Sequence, residues 1–188
     1  MSSIAYNIAY LQESLGELEG YLLSEELFDR LHARAPWGEP PFASLTLGNV
    51  LLARKELQCY SLDDRQVLVF EELNTRLETI RSRWRAAWEK KARREYPYRL
   101  RQWAHFLDEY RRGPEKQADR YPYEVRQRVI LSLLQEDAQE AAVENEQQLF
   151  TLDELLRRDF VEGEFVWDVG MDEGFPRDVY WYLWGRVR

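Results

Sequence analysis

Residues 65–95 read RQVLVFEELNTRLETIRSRWRAAWEKKARRE. Phe70, Leu73, Leu77, Ile80, Trp84 and Ala87 recur at alternating spacings of three and four, which defines one apolar stripe on an α-helix. Ser61 and Asp64 form an approximate capping box in front of the run, and Pro97 is its natural stop. A helix over about residues 62–95 would span about 50 Å at 1.5 Å per residue, longer than the about 40 Å expected across a globule of this size. One end is therefore expected at the edge of the body. The fold class that follows is mainly α: a single helical domain, 1–188, of about seven or eight helices around this long central helix.

Working outward, Ile4, Ile8, Leu11, Leu15, Leu18 and Leu22 mark an N-terminal helix. Gly16 and Gly20 weaken it, so an end near Glu19 is expected. SEELFDRLHARAP, 24–36, offers Ser24 as an N-cap, two Glu in the first turn and Pro36 as a stop, which predicts a second helix. WGEPPF, 37–42, is a loop, and SLTLGNVLLARKEL resumes a short helix to about Leu57, completing an N-terminal helical part, 1–60. Residues 61–160 hold the long helix and those after it. Pro97 is expected near the first position of a new helix that buries Leu100, Trp103, Phe106 or Leu107, and Tyr110, and ends at Gly113-Pro114. Tyr96-Pro97-Tyr98 returns as Tyr121-Pro122-Tyr123, which reads as one helix-start device used twice. Thr151 and Glu154 form a box opening a later helix. Residues 161–188 are an aromatic segment, strand-like around a Gly-rich turn; after Pro176 a short helix is the preferred reading and an edge strand the alternative.

Hydrophobic residues at 45% and charged residues at 32% describe a globular chain. Cys59 is the only cysteine, which excludes an intrachain disulfide and fits a reducing compartment. The N-terminal residues lack the basic and apolar regions of a signal peptide, and the apolar run VYWYLW, 179–184, is too short to cross a bilayer. A soluble, cytoplasmic protein with no membrane partner is expected.

The net charge is −8, yet residues 81–103 carry nine Arg or Lys against two Glu, with Trp84, Trp88, Trp103, Tyr96 and Tyr98 interleaved. On a helical wheel Trp84 and Trp88 fall with Leu77 and Ile80, away from Arg83, Lys90, Arg93 and Arg94. They belong to the buried stripe and are not platforms on which bases stack. Acidic residues early in the long helix and basic ones late complement its dipole, and Glu72–Arg76 and Glu89–Arg93 are favourable i,i+4 pairs. Residues 135–154 carry seven carboxylates and no Lys or Arg, so they are expected to face the basic segment within the fold or across a homodimer. Arg83, Arg85, Lys90, Lys91, Arg93 and Arg94 are the candidate phosphate- or partner-binding residues. Trp181, Tyr182 and Trp184 are the candidate interface, since consecutive large rings on a helix cannot all point inward.

His32 and His105 are the only imidazoles, and neither sits in a metal-binding or nucleophile-activating pattern. No metal, cofactor or catalytic residue is assigned. The leading expectation is a non-enzymatic interaction or scaffold protein with a protein partner or a second copy of itself. A nucleic-acid-associated protein gripping phosphates through 81–101 is the alternative, and an enzyme with an unrecognised carboxylate site comes third.

Overall fold

Helix α1 (Ile4–Leu23) starts where Ser3 Oγ accepts the Tyr6 N–H at 3.0 Å. The computed structural model describes residues 3–188, so the first two residues of the expected domain lie outside it. The helix runs a full turn past Glu19. Gly16 and Gly20 each cost up to about 1 kcal/mol, but Tyr21 and Leu22 beyond them are buried, and that gain is larger.

The helix expected from Ser24 does not form. Ser24 instead closes α1, its N–H bonding Gly20 and Tyr21 carbonyls. Residues 24–46 then run without a helix; their one ladder contact is the antiparallel bridge between Asp29 and Leu45. The local helix signals here are weak on the scale of tertiary contacts, because a helix this short is marginal alone.

Helix α2 (Leu47–Cys59) begins at Thr46, whose Oγ1 accepts the Asn49 N–H. The long element is two helices and is displaced along the chain. α3 (Asp64–Arg83) starts with a capping box of Asp63 and Gln66, where Ser61 and Asp64 were expected, and stops at Trp84. α4 (Arg85–Arg112) then runs straight through Pro97. The proline costs about 3 kcal/mol and leaves the Arg93 carbonyl without its i+4 donor. One unbroken apolar face outweighs that cost: Trp88, Ala92, Tyr96, Leu100, Trp103 and Phe106 are all at most 1% exposed. The central helix is therefore α4, and it packs against α1, α2 and α3 and against the helices that follow it.

Those are α5 (Pro114–Gln117), α6 (Tyr121–Glu124), α7 (Arg126–Ala138), α8 (Glu140–Glu144) and α9 (Glu146–Asp159). The second Tyr-Pro-Tyr does open a helix, α6; the first lies inside α4, so the two copies are not one device. Gln139, at φ 46°, breaks α7 from α8. α9 begins before Thr151, whose hydroxyl bonds back to Gln147.

The chain closes with β1 (Phe160–Phe165) paired antiparallel to β2 (Trp184–Val187). The preferred helix after Pro176 is thus corrected to a 3-10 turn and the edge strand. β1 supplies the partner, and Gly185 at φ 154° lies so close to the Val161 carbonyl that a side chain would not fit. Among the described residues the protein is mainly α with one two-stranded sheet. No helix of the described residues is long and apolar enough to cross a membrane.

A candidate partner-binding loop held by the basic helix

Residues 24–46 form an irregular loop of a length that is uncommon inside a compact domain and, where it is ordered, usually functional. Its order comes from three sides. The basic face of α4 grips its first residues. Glu25 takes Lys90 Nζ at 2.9 Å and Arg94 Nη1 at 3.2 Å, while Arg94 Nη2 donates to the Glu25 carbonyl at 2.8 Å. Lys91 is buried: its Nζ bonds Ser24 Oγ and the Glu26 carbonyl and lies 4.1 Å above the Tyr21 ring. Burial, followed by the neighbouring Arg94, lowers the Lys91 pKa. This cation also sits at the C-terminus of α1, where the helix dipole is negative.

Further along, Phe28 packs on Tyr98 at 4.5 Å and on the Arg99 guanidinium. Glu17 of α1 holds His32 twice, by the backbone N–H at 3.1 Å and by Nδ1 at 2.8 Å. The returning limb is fixed by α1: the Tyr10 hydroxyl donates to the Ser44 carbonyl, the Tyr6 hydroxyl accepts the Ala43 N–H, and both rings pack on Phe42.

The tip is a tight turn. The Glu39 N–H donates to the Pro36 carbonyl at 3.1 Å, and Gly38 adopts φ 86°, the geometry of a type II turn with Gly at its third position. Trp37, second in that turn, is fully exposed. Ser3 anchors the far side by donating to Glu39. Between the limbs lies an open groove of about 570 Å³ bordered by Arg30, His32, Arg34 and Phe42.

The His32–Glu17 tie has a pH window. The hydrogen bond to Glu17 raises the His32 pKa. Partial burial works against Glu17, but its bonds to His32 leave its pKa lowered. The His32 contribution is complete below the unfolded imidazole pKa, about 6.5, and fades as pH rises through the raised folded value; the Glu17 contribution is complete above about 4.3 and fades as pH falls through the lowered one. Hydrogen exchange of the His32 amide, corrected for intrinsic rate, is expected to show full protection between those values and a loss of protection at alkaline pH. Unchanged protection at alkaline pH would show that the tie does not hold the loop.

The six cations singled out by sequence are all engaged within the chain. Besides Lys90, Lys91 and Arg94, Arg83 lies 3.8 Å from Glu19, Arg85 pairs with Glu89 at 2.9 Å, and Arg93 reaches Gln139 at 3.4 Å. Lys91 has no surface to offer a phosphate. Trp88 is buried and Trp84 half-buried. From the acidic segment, Asp137 meets the basic one directly, taking Arg81 Nη2 at 2.6 Å and the Trp88 indole N–H at 2.9 Å, while Asp153 pairs with Arg128 of α7.

Of the candidate interface rings, Tyr182 is a core residue, with its hydroxyl 3.0 Å from Ser132 Oγ, and is withdrawn. Trp181 and Trp184 are half-buried under the guanidinium groups of Arg157 and Arg177, at 3.6 and 4.7 Å. Among the described residues no group of three or more His, Cys, Asp or Glu could hold a metal ion. Sequence reasoning marked WGEPPF as a loop and passed over Trp37; its signal was a tryptophan between proline and glycine, with no helical neighbours to pack against. No family model matches this chain, and neither the curated proteins nor the solved structures contain a match to it.

Proposed function

We propose that this is a non-enzymatic interaction protein of the cytoplasm whose partner-facing element is the 24–46 loop, with Trp37 as its anchor. The observation that carries the reading is a fully exposed tryptophan on a loop whose backbone is fixed from both limbs. Burying such a ring is the largest apolar gain a single side chain offers, and tryptophan is enriched at binding hot spots. A loop already ordered loses little further entropy on association. The basic end of α4 then serves as the clamp that orders the loop. The partner is a protein, with a second copy of this chain as the first to test.

A photo-crosslinking residue placed in cells at Arg34, an exposed position of the same loop that leaves Trp37 intact, is expected to give one discrete adduct, and Trp37→Ala is expected to abolish it. The same photo-crosslinking residue at Leu68, an exposed apolar position on α3, is expected to give none. Mass spectrometry of the adduct distinguishes a homodimer from a different protein. No adduct at position 34, an adduct that survives Trp37→Ala, or equal labelling from both positions removes the reading.

A further inference from the structure

Glu56 lies in the last turn of α2, where the dipole is negative, a location that does not help its helix. Arg126 opens α7 directly after α6 and Val125, whose backbone is itself helical. Glu56 is 3% exposed and has one hydrogen-bond partner among the described residues, Asn7 Nδ2, which donates to Oε2 at 2.7 Å. Burial raises its pKa, against the pull of the Asn7 bond and of Arg126. Arg126 is half-buried; its guanidinium lies over the Tyr123 ring at 5.4 Å, and its charge works against the burial that raises the pKa of both Glu56 and Tyr6. A group such as Glu56, which breaks a local rule without a structural return, marks a functional site.

Both residues line one cleft of about 420 Å³, walled by Tyr6, Pro41, Tyr123 and Trp167 among others, with Asp119 as a second carboxylate on its lining. That volume lies within the ordinary range of small-ligand sites, about 300–1,000 Å³, and so does the chemistry: apolar and aromatic walls with a few convergent polar groups. The Glu56 carboxylate and the guanidinium form no direct ion pair, so a bound molecule can satisfy both. An arginine fork takes a carboxylate through two parallel hydrogen bonds, and a carboxylate takes an ammonium group. The rings and prolines take an apolar side group.

We propose that the Glu56–Arg126 cleft binds a small zwitterion with an apolar side group, of the amino-acid class. Its carboxylate lies on Arg126 and its ammonium on Glu56. The site is independent of Trp37 as a partner anchor, although Pro40, Pro41 and Ala43 of the same loop form part of its wall.

Calorimetry on the full chain with three probes of one ring tests this: L-phenylalanine, phenethylamine and 3-phenylpropionate. Phenylalanine is expected to bind saturably, and each singly charged analogue about tenfold more weakly or worse, the value of one charged hydrogen-bonding arm. Arg126→Gln should reduce phenylalanine to the affinity of phenethylamine while leaving phenethylamine unchanged. Glu56→Gln should do the same relative to 3-phenylpropionate. Should the buried Glu56→Gln variant fail to fold, the Arg126→Gln comparison carries the test alone. Absence of saturable phenylalanine binding, or equal affinities in wild type and Arg126→Gln, overturns the proposal.

Discussion

Gly48→Ala is expected to destabilise the protein by about 3 kcal/mol or more. In an isolated helix the same change helps by up to about 1 kcal/mol, so the tertiary structure reverses the sign. Gly48 is in the first turn of α2, and its N–H donates to both oxygens of Glu95 at 3.2 and 3.1 Å. A Cβ there would lie 2.6 Å from Glu95 Oε1 and overlap Ile130 Cγ2. The carboxylate cannot retreat, because Arg99 holds it from the other side. Either α2 lifts away from α4 and α7, or the ion pair is broken. Urea denaturation reads the loss directly; a midpoint at or above that of the wild type would show that α2 has room the structure does not give it.

Glu95→Ala is expected to cost about 3–5 kcal/mol, the range for removing one partner of a buried ion pair. Glu95 is 0% and Arg99 5% exposed. Oε1 takes Arg99 Nε at 2.8 Å and Nη2 at 2.7 Å. Without it the guanidinium retains Thr46 Oγ1 at 2.8 Å and Gln127 Oε1 at 3.1 Å, both neutral, and the N-terminus of α2 loses its acceptor. Glu95→Gln keeps the shape and part of the bonding, so a smaller loss is expected. Replacing both charges, as in Glu95→Leu with Arg99→Met, should cost less than Glu95→Ala alone, because no charge is left stranded. The two sites touch, so Gly48→Ala and Glu95→Ala together should cost less than their sum. Losses below about 1 kcal/mol for Glu95→Ala would reduce the pair to the weight of a surface contact.

This buried network shows why parts of the molecule were not legible from the chain. Glu95 and Arg99 have ordinary i,i+4 spacing, the pattern of a solvated helix face. Nothing local says that α2 will place its open N-terminus against them. Lys91 is the same case. It stands beside Lys90 in a basic run, and only the arrival of the α1 C-terminus makes one a buried cap and leaves its neighbour at the surface. The Glu56–Arg126 cleft joins α2 to α7 across a large separation in sequence, where no spacing rule operates. A helix after Pro176 would leave one of the consecutive rings outside; on the 3-10 turn Trp181–Leu183, Tyr182 points inward.

What the amino-acid order determined by itself is whatever repeats within one element: the mainly helical class, the buried stripe of α1, the burial of Trp88, Leu100, Trp103 and Tyr110, and the loop at 37–42. Those signals are periodicity and backbone stereochemistry, which act over a few residues and need no partner. The tertiary structure alone decided where helices stop and start when local preference conflicts with packing. Pro97 is carried inside α4 because the apolar face of α4 on either side of it is almost fully buried. Residues 24–36 give up a marginal helix because Lys90, Lys91, Arg94 and Glu17 bind them as a loop. Local propensities are worth tenths of a kcal/mol to about one per residue, and a buried ring or an ordered set of charged hydrogen bonds outweighs several of them.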